Sequence, residues 1–142
     1  MTTLYTAHAT AYGGREGRVA TDDGALDLVL TRPRQLGGAE GTGTNPEQLF
    51  ACGYSACFGA TLHALARARK IVLARNEVAA HIGLVRRAEG GFILSASLDV
   101  TLAGLAREDA EALVEAAHET CPYSNTIKTV IPVAISLTVD AA

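Results

Sequence analysis

The sequence predicts an α+β domain in which helices pack on an antiparallel sheet. Three observations predict this class: short strands come first, a long uncharged helix follows, and a hairpin, a second helix and a last strand complete the order. The 142 residues fit a single domain of ordinary size, residues 1–142. Hydrophobic residues make up 49% of the chain and charged residues 19%, which excludes a disordered linker protein.

Charge and composition exclude some partners and indicate a compartment. The formal net charge is −3, the 12 Lys and Arg residues are scattered, and there is no Trp, so a nucleic-acid partner is not expected. The first residues lack a basic region followed by an apolar run, so no secretory signal is predicted. Three cysteines are too few, and odd in number, for a disulfide scaffold. A cytoplasmic chain is the simplest interpretation.

The first third of the chain reads as short strands followed by a loop. Between Leu4 and Leu30, turn signals at Gly13-Gly14 and at residues 21–24 separate the strands. The segment from Leu36 to Thr44 contains four glycines and is predicted to be a flexible loop.

A long helix begins at Asn45-Pro46-Glu47. Asn45 can cap the first free amides, proline suits the first helical position, and Glu47 complements the positive end of the helix dipole. The helix is predicted to end at about Arg69 or Lys70. No formal charge occurs between Glu47 and Arg67, but polar residues interrupt the stretch, and it barely reaches the ~20 apolar residues of a membrane span. A buried helix is therefore favoured over a membrane-spanning one, and no membrane partner is expected.

A helix without a charged face should be covered on every side. One small sheet cannot easily do this, so we expect a second subunit to supply the cover, as in a homodimer.

The second half of the chain predicts a hairpin, a helix and a strand. Residues Val78–Val85 and Phe92–Leu102 form the arms of the hairpin, and the second arm alternates apolar and polar side chains. A helix follows over Arg107–Glu119 and ends at Cys121-Pro122, because proline cannot continue the helical hydrogen bonds. Val133 to Val139 mark the last strand.

The cysteines are the candidates for chemistry, although each also has a structural interpretation. Cys57, inside the uncharged helix, resembles an inert core residue, and burial would raise its pKa unless a cation within about 4–6 Å lowered it. Cys121, at a frayed helix end, is expected to have a mobile side chain or to pack on the sheet. Cys52 is rotated about 140° from Cys57 and is interpreted as a packing residue.

Two pairings stay open from the residues alone. Cys57 and Cys121 can form a disulfide only if the fold brings their Cα atoms to about 4.4–6.8 Å. His118 and Cys121 have the spacing of a helical metal-ligand pair, but no C-x-x-C pair is present, so the zinc signal is weak and no metal is expected.

Three motifs carry a family resemblance: NPEQLF at 45–50, GYSACF at 53–58 and CPYSN at 121–125. With LYTA at 4–7 and GGREGR at 13–18, they make the chain resemble the organic hydroperoxide resistance proteins of the OsmC/Ohr superfamily over nearly its whole length.

The resemblance implies an OsmC-like fold in an intertwined homodimer that reduces organic hydroperoxides to alcohols without a cofactor. Cys57 matches the peroxidatic cysteine and Cys121 the resolving cysteine. Arg15 matches the arginine that holds the thiolate, and Glu47 the carboxylate that orients this arginine. The family takes its electrons from lipoylated proteins, through a dihydrolipoyl dithiol.

Two further expectations concern the substrate and the subunits. Phe50 and Phe58 are candidates for an apolar wall that favours alkyl or fatty-acid hydroperoxides, although both also suit a plain core. Glu47 and Cys57 lie ten residues apart, about 15 Å along one straight helix, so one arginine is not expected to bridge them. Either the helix breaks, or, as we favour, the Arg15–Glu47 pair reaches Cys57 of the other chain.

Two other functions remain as alternatives to the enzyme. One is a non-catalytic dimer that binds a hydrophobic ligand and uses its cysteines for packing. The other is a metal-binding protein.

Overall fold

The structure, a computed structural model, describes residues 1–141. These residues form two compact units, one from Met1 to Leu49 and one from Phe50 onward. The last residue of the predicted single domain, Ala142, lies outside the described residues.

The first unit contains a small antiparallel sheet. Its strands β1 (Ala9–Tyr12), β2 (Arg18–Thr21) and β3 (Asp27–Val29) pair in the order β1-β2-β3. A 3₁₀ turn, Gly14–Glu16, joins β1 to β2, and a second one covers Arg34–Leu36. The predicted short strands and the turn at Gly13-Gly14 are therefore confirmed.

The glycine-rich loop returns to the end of the sheet. An isolated parallel bridge joins Leu30 to Thr44, and the N–H of Thr31 donates to the Thr44 carbonyl over 2.8 Å. A side chain at Gly43 would collide with Thr31, because an added Cβ would lie 2.4 Å from its hydroxyl oxygen. This close approach requires glycine at position 43.

Helix α1 covers Pro46–Ala68 and begins as predicted. The Asn45 side-chain oxygen accepts a 2.8 Å hydrogen bond from the N–H of Gln48, which is the expected N-cap. The helix ends one or two residues before the predicted end. There Lys70 adopts a left-handed conformation with φ 60°, and Ile71 donates back to the carbonyl of Ala66, a common way to close a helix.

The second unit contains a mixed three-stranded sheet. Strands β4 (Arg75–Arg86) and β5 (Phe92–Ala103) form the predicted hairpin, slightly longer than expected. Strand β6 (Val133–Asp140) confirms the last predicted strand but pairs parallel to β5, so the sheet is not wholly antiparallel as expected. The reason is the connection: two helices lie between β5 and β6 and return the chain to the same end of the sheet.

These two helices meet at a cysteine. Helix α2 covers Arg107–Thr120, one residue longer than predicted, and α3 covers Pro122–Ile127. Pro122 ends α2 as expected, but it also occupies the first turn of α3, where its missing N–H leaves no bond unmade. Cys121 lies between the two helices.

The core of the second unit lies between α1, α2 and the sheet. Residues spaced four apart on α1 form its buried stripe: Tyr54, Phe58, Leu62 and Ala66. They belong to one cluster with β5 and α2 side chains, among them Leu98, Val100, Leu102, Leu113 and Ala117.

Among the residues that the structure describes, none covers the opposite face of α1. Ala56, Ala60, His63 and Ala64 are all exposed. The expected cover by a second subunit stays a prediction. By length and hydropathy alone α1 would suffice to cross a membrane, a test that the core helix of a soluble protein passes equally well.

Candidate active site

Two reduced thiols lie against each other where α1 meets the α2–α3 junction. The sulfur atoms of Cys57 and Cys121 are 3.6 Å apart. Cys57 is partly exposed, whereas Cys121 is fully buried. The two cysteines are 64 positions apart, so the sequence leaves their pairing open. The fold brings their side chains together.

Of the two expectations for Cys121, the structure favours packing, because the side chain is fully buried in the core cluster. Its N–H donates to the Ala117 carbonyl over 2.8 Å, and its own carbonyl accepts from Asn125 over 2.9 Å. The residue is thus held by helical hydrogen bonds on both sides, because a second helix begins where a frayed end was expected.

Burial opposes ionisation of Cys57 within its own unit. Desolvation raises the pKa of this thiol, the backbone N–H of Tyr123 lowers it by donating to the sulfur, and the neighbouring Cys121 raises it. Desolvation is the largest of these effects, so these groups leave Cys57 with a pKa above its ordinary value. A nearby cation would oppose the effect of burial and favour the reactive thiolate.

An open groove of about 490 Å³ lies beside Cys57. Its lining is mainly apolar and comes from α1 and the α2–α3 junction: Ala60, Thr61, Ala64, Leu65, Thr120 and Pro122. Alkyl chains suit such a surface better than small polar molecules do.

The two phenylalanines proposed for an apolar wall lie elsewhere. Phe58 is fully buried in the core and does not line the groove, which favours its interpretation as a core residue. Phe50 is partly buried and contacts the ring of Tyr123, with 5.6 Å between the ring centroids. Its role in substrate binding stays a prediction.

A buried chain of hydrogen bonds, not predicted from the sequence, lies beside the thiols. The Tyr54 hydroxyl and the Ser124 hydroxyl are 2.6 Å apart, and Ser124 also lies 3.1 Å from Nδ1 of His118. Tyr54 and Ser124 are both fully buried. Both stand inside the motifs that carry the family resemblance, but no spacing rule pairs residues 70 positions apart.

In the first unit, Arg15 and Glu47 form a two-pronged ion pair. Their nitrogen–oxygen distances are 2.8 and 2.6 Å, and the Glu47 side chain is only 14% exposed. The hydrogen bonds that Arg15 donates to Glu47 lower the pKa of Glu47 and raise the pKa of Arg15. Arg15 lies on the 3₁₀ turn after β1, and Glu47 in the first turn of α1. Because of these pKa shifts, both side chains remain charged near neutral pH. Their catalytic roles stay predictions.

The remaining candidates from the sequence are Cys52 and a metal site. Cys52 is exposed in this chain, and its interpretation as a packing residue stays a prediction. Within residues 1–141, no group of three or more His, Cys, Asp or Glu side chains gathers as a metal site would require.

The fold and the thiol site together define an α+β protein with a cysteine pair held between two helices. A family model described as OsmC-like protein matches residues 38–136. The chain is 46% identical over 135 residues to the organic hydroperoxide resistance protein of Xanthomonas axonopodis pv. citri, covering 94% of each. It is 42% identical to organic hydroperoxide resistance protein OhrB of Bacillus subtilis, covering 94% of this chain and 98% of that protein.

Solved structures agree with these sequence relatives. The crystal structure of an organic hydroperoxide resistance protein from Legionella pneumophila superposes with a TM-score of 0.92 at 47% identity, covering 97% of this chain and all of that one. The chain belongs to the OsmC/Ohr family. The α+β class, the OsmC-like fold and the family resemblance are thereby confirmed.

Proposed function

We propose that the protein protects against organic hydroperoxides as a thiol-dependent peroxidase that reduces them to alcohols. The names of its bacterial relatives support the coarser role in peroxide resistance. The observation that carries the finer proposal is the 3.6 Å approach of two reduced sulfurs, Cys57 and Cys121, beside an apolar groove.

In the first step the Cys57 thiolate attacks the terminal oxygen of the hydroperoxide. A sulfur–oxygen bond forms, the O–O bond breaks, and the alkoxide takes up one proton to leave as an alcohol. The sulfur becomes a sulfenic acid. The peroxide is reduced by two electrons and Cys57 is oxidised by two.

In the second step Cys121 attacks the sulfenic sulfur. The disulfide forms, and the hydroxyl of the sulfenic acid leaves with the Cys121 proton as water. The sulfurs must approach from 3.6 Å to about 2.05 Å, a small movement for neighbouring side chains. This step protects Cys57 from irreversible oxidation. We assign its reversal to a dihydrolipoyl dithiol, free or on a lipoylated protein, by thiol–disulfide exchange.

We assign the cation that Cys57 needs to Arg15, held in place by Glu47. A guanidinium is always charged, lowers the pKa of a nearby thiol, and stabilises charge on the leaving oxygen. We further propose that the pair of one subunit serves Cys57 of the other in an intertwined homodimer. The part of α1 that is exposed outside the groove, at Ala56 and His63, supports a second subunit.

The substrate class follows from the lining of the groove. Its apolar side chains favour alkyl or fatty-acid hydroperoxides over hydrogen peroxide. Phe50 is kept as a candidate contact for the alkyl chain. We infer a cytoplasmic location, where reducing conditions keep both thiols ready to react.

Counting thiols tests this proposal. The Cys52→Ser variant removes the exposed cysteine, so that two thiols per chain remain. One equivalent of tert-butyl hydroperoxide should remove both promptly with release of one equivalent of tert-butanol, and dihydrolipoamide should restore them. Thiols that persist after exposure to the peroxide contradict the enzyme and favour the non-catalytic binder of a hydrophobic ligand.

A further inference from the structure

The buried hydrogen bond between Tyr54 and Ser124 joins α1 to α3 beside the cysteine pair. Tyr54 precedes Cys57 by three residues on α1, so the two side chains lie on one helix face, about one turn apart. Ser124, in the first turn of α3, follows by three residues the N-cap residue of that helix, Cys121. The hydroxyl–hydroxyl contact of 2.6 Å thus runs beside the sulfur–sulfur contact of 3.6 Å.

Two polar side-chain contacts join the start of α3 to α1. The thiol of Cys121 meets the thiol of Cys57, and the Ser124 hydroxyl meets the Tyr54 hydroxyl. The first contact joins the sulfurs whose bonding changes in the proposed disulfide step. The second involves neither sulfur and can persist through the whole cycle.

His118 lies at the end of this hydrogen-bond chain. Burial, and next the charge of Lys128, lower the pKa of His118, which favours a neutral ring near pH 7. Lys128 itself is paired with Glu119 over 2.9 Å. In the neutral tautomer that carries its hydrogen on Nε2, Nδ1 accepts from the Ser124 hydroxyl, and the Tyr54 hydroxyl then donates to Ser124.

We propose that Tyr54 and Ser124 are positioning residues for the resolving step, in which they hold the first turn of α3 against α1 so that Cys121 meets oxidised Cys57. This inference rests on the proposed function and adds to it the residues that set the rate of disulfide formation. The step itself is the one already balanced: Cys57–SOH and Cys121–SH give a disulfide and water.

The physical reason is the sensitivity of such steps to placement. Reactions between held groups gain from near-attack geometry, and a misplacement of about 1 Å can cost on the order of 100-fold. Removing one partner of a buried hydrogen bond also leaves the other hydroxyl unpaired, which loosens the contact between the two helices. A loss of about tenfold in the resolving rate is therefore the expected size of the effect, since tenfold corresponds to about 1.4 kcal/mol.

The experiment measures the two chemical steps separately in the Cys52→Ser protein. The variants are Tyr54→Phe, Ser124→Ala and the double variant, with Ser55→Ala as the control. Ser55 lies on the same helix and donates only to the Cys52 carbonyl of its own turn. Stopped-flow mixing with tert-butyl hydroperoxide and acid quenching give the rate of Cys57 oxidation and the rate of disulfide formation.

We expect Cys57 oxidation to stay within about twofold of the parent rate and disulfide formation to fall about tenfold in each single variant. The double variant should be no slower than either single variant, because both remove one shared bond. With excess peroxide, mass spectrometry should show more Cys57 sulfinic acid in these variants. The Ser55→Ala variant should match the parent.

Three outcomes overturn the inference: parent-like disulfide formation in both single variants, losses that multiply in the double variant, or equal slowing of both steps. A parent that loses no thiols contradicts the proposed function instead. If thermal melting shows that the core variants fail to fold, His118→Ala decides, because this side chain is only partly buried. It should slow disulfide formation by about twofold to threefold, and an unchanged rate would overturn the inference.

Discussion

The ion pair of the first unit and the thiol pair of the second are held by different interactions. Arg15 and Glu47 are joined by two short charged hydrogen bonds, and each keeps the other ionised. Cys57 and Cys121 are joined by a weak contact in an apolar environment, where burial keeps the pKa of Cys57 high. The Arg15–Glu47 pair supplies a positive charge but no nucleophile, whereas the cysteine pair supplies a nucleophile that burial keeps neutral. The proposed peroxidase needs both the positive charge and the nucleophile.

The largest effect should come from the thiol pair. Cys57→Ser is expected to lower peroxide turnover by at least about 10³-fold, because a hydroxyl is not ionised where a thiol can be. Cys121→Ser should still oxidise Cys57 once per chain but recycle poorly with dihydrolipoamide. Peroxide consumption and thiol counts check both variants.

Cys52→Ser is the matched control for these two variants. It changes an exposed cysteine on the same helix as Cys57, and it should leave turnover unchanged. Normal turnover in Cys57→Ser would remove the thiol pair from the mechanism altogether.

Much of the fold could be predicted because its signals are local. The cap at Asn45, the stop at Pro122 and the alternation of β5 each depend on residues close in sequence. The parallel pairing of β6 was missed because alternation is identical in parallel and antiparallel strands, and only the path of the intervening helices decides the direction.

The next effect concerns stability and separates the two interpretations of Phe58. Phe58→Ala should lower the free energy of unfolding by about 3–5 kcal/mol, the usual loss for a buried phenylalanine. Phe50→Ala, at a partly buried position, should cost less. Urea denaturation measures both.

The milder Phe58→Leu variant tests the substrate wall directly. The ratio of kcat/KM for tert-butyl hydroperoxide to that for hydrogen peroxide should stay at the parent value, because Phe58 does not line the groove. A changed ratio would return Phe58 to the substrate site.

The third prediction asks whether the charge of the first pair serves the second. Arg15→Ala should slow alkylation of Cys57 by iodoacetamide at pH 7 by about 10- to 100-fold, since one nearby cation lowers a thiol pKa by about 1–2 units. Arg15→Lys should lie between the two. Arg18→Ala is the control, because Arg18 forms a comparable pair with Asp27 in the same unit.

A slow, ordinary alkylation rate at Cys57 in the parent would contradict the proposed activation itself. An Arg15→Ala rate equal to that of the parent would instead assign the cation to another residue.

The candidate site was less predictable than the fold because its contacts are long-range. Motif resemblance selected Cys57, Cys121, Arg15 and Glu47, and the structure shows how each is held. The motif resemblance could not show that Cys121 is buried, because its burial depends on α3, a helix of six residues without a capping side chain. Nor could it pair Tyr54 with Ser124, since the contact exists only once the two helices have packed.

The smallest effect should appear in the acid stability of the ion pair. The pKa of Glu47 is lowered in the folded chain, chiefly by the hydrogen bond from Arg15, so an unfolded chain binds a proton at Glu47 more readily than the folded one. The stabilisation is therefore complete above the ordinary glutamate pKa and is lost as the pH falls through the lowered folded value. Glu47→Gln should cost about 1 kcal/mol or less at pH 7 and nothing at a pH below both pKa values.

Asp27→Asn is the matched comparison for this measurement. Arg18 and Asp27 form the same two-pronged arrangement, but their side chains are 50% and 55% exposed, against 32% and 14% for Arg15 and Glu47. Water and salt screen the exposed pair more strongly, so its loss should change the free energy of unfolding less, and 0.5 M NaCl should reduce its effect further, a concentration chosen to shorten the screening length to about 4 Å. Equal losses of unfolding free energy in the two variants would mean that partial burial does not strengthen the Arg15–Glu47 pair. The contribution of Glu47 would then be to orient the Arg15 guanidinium.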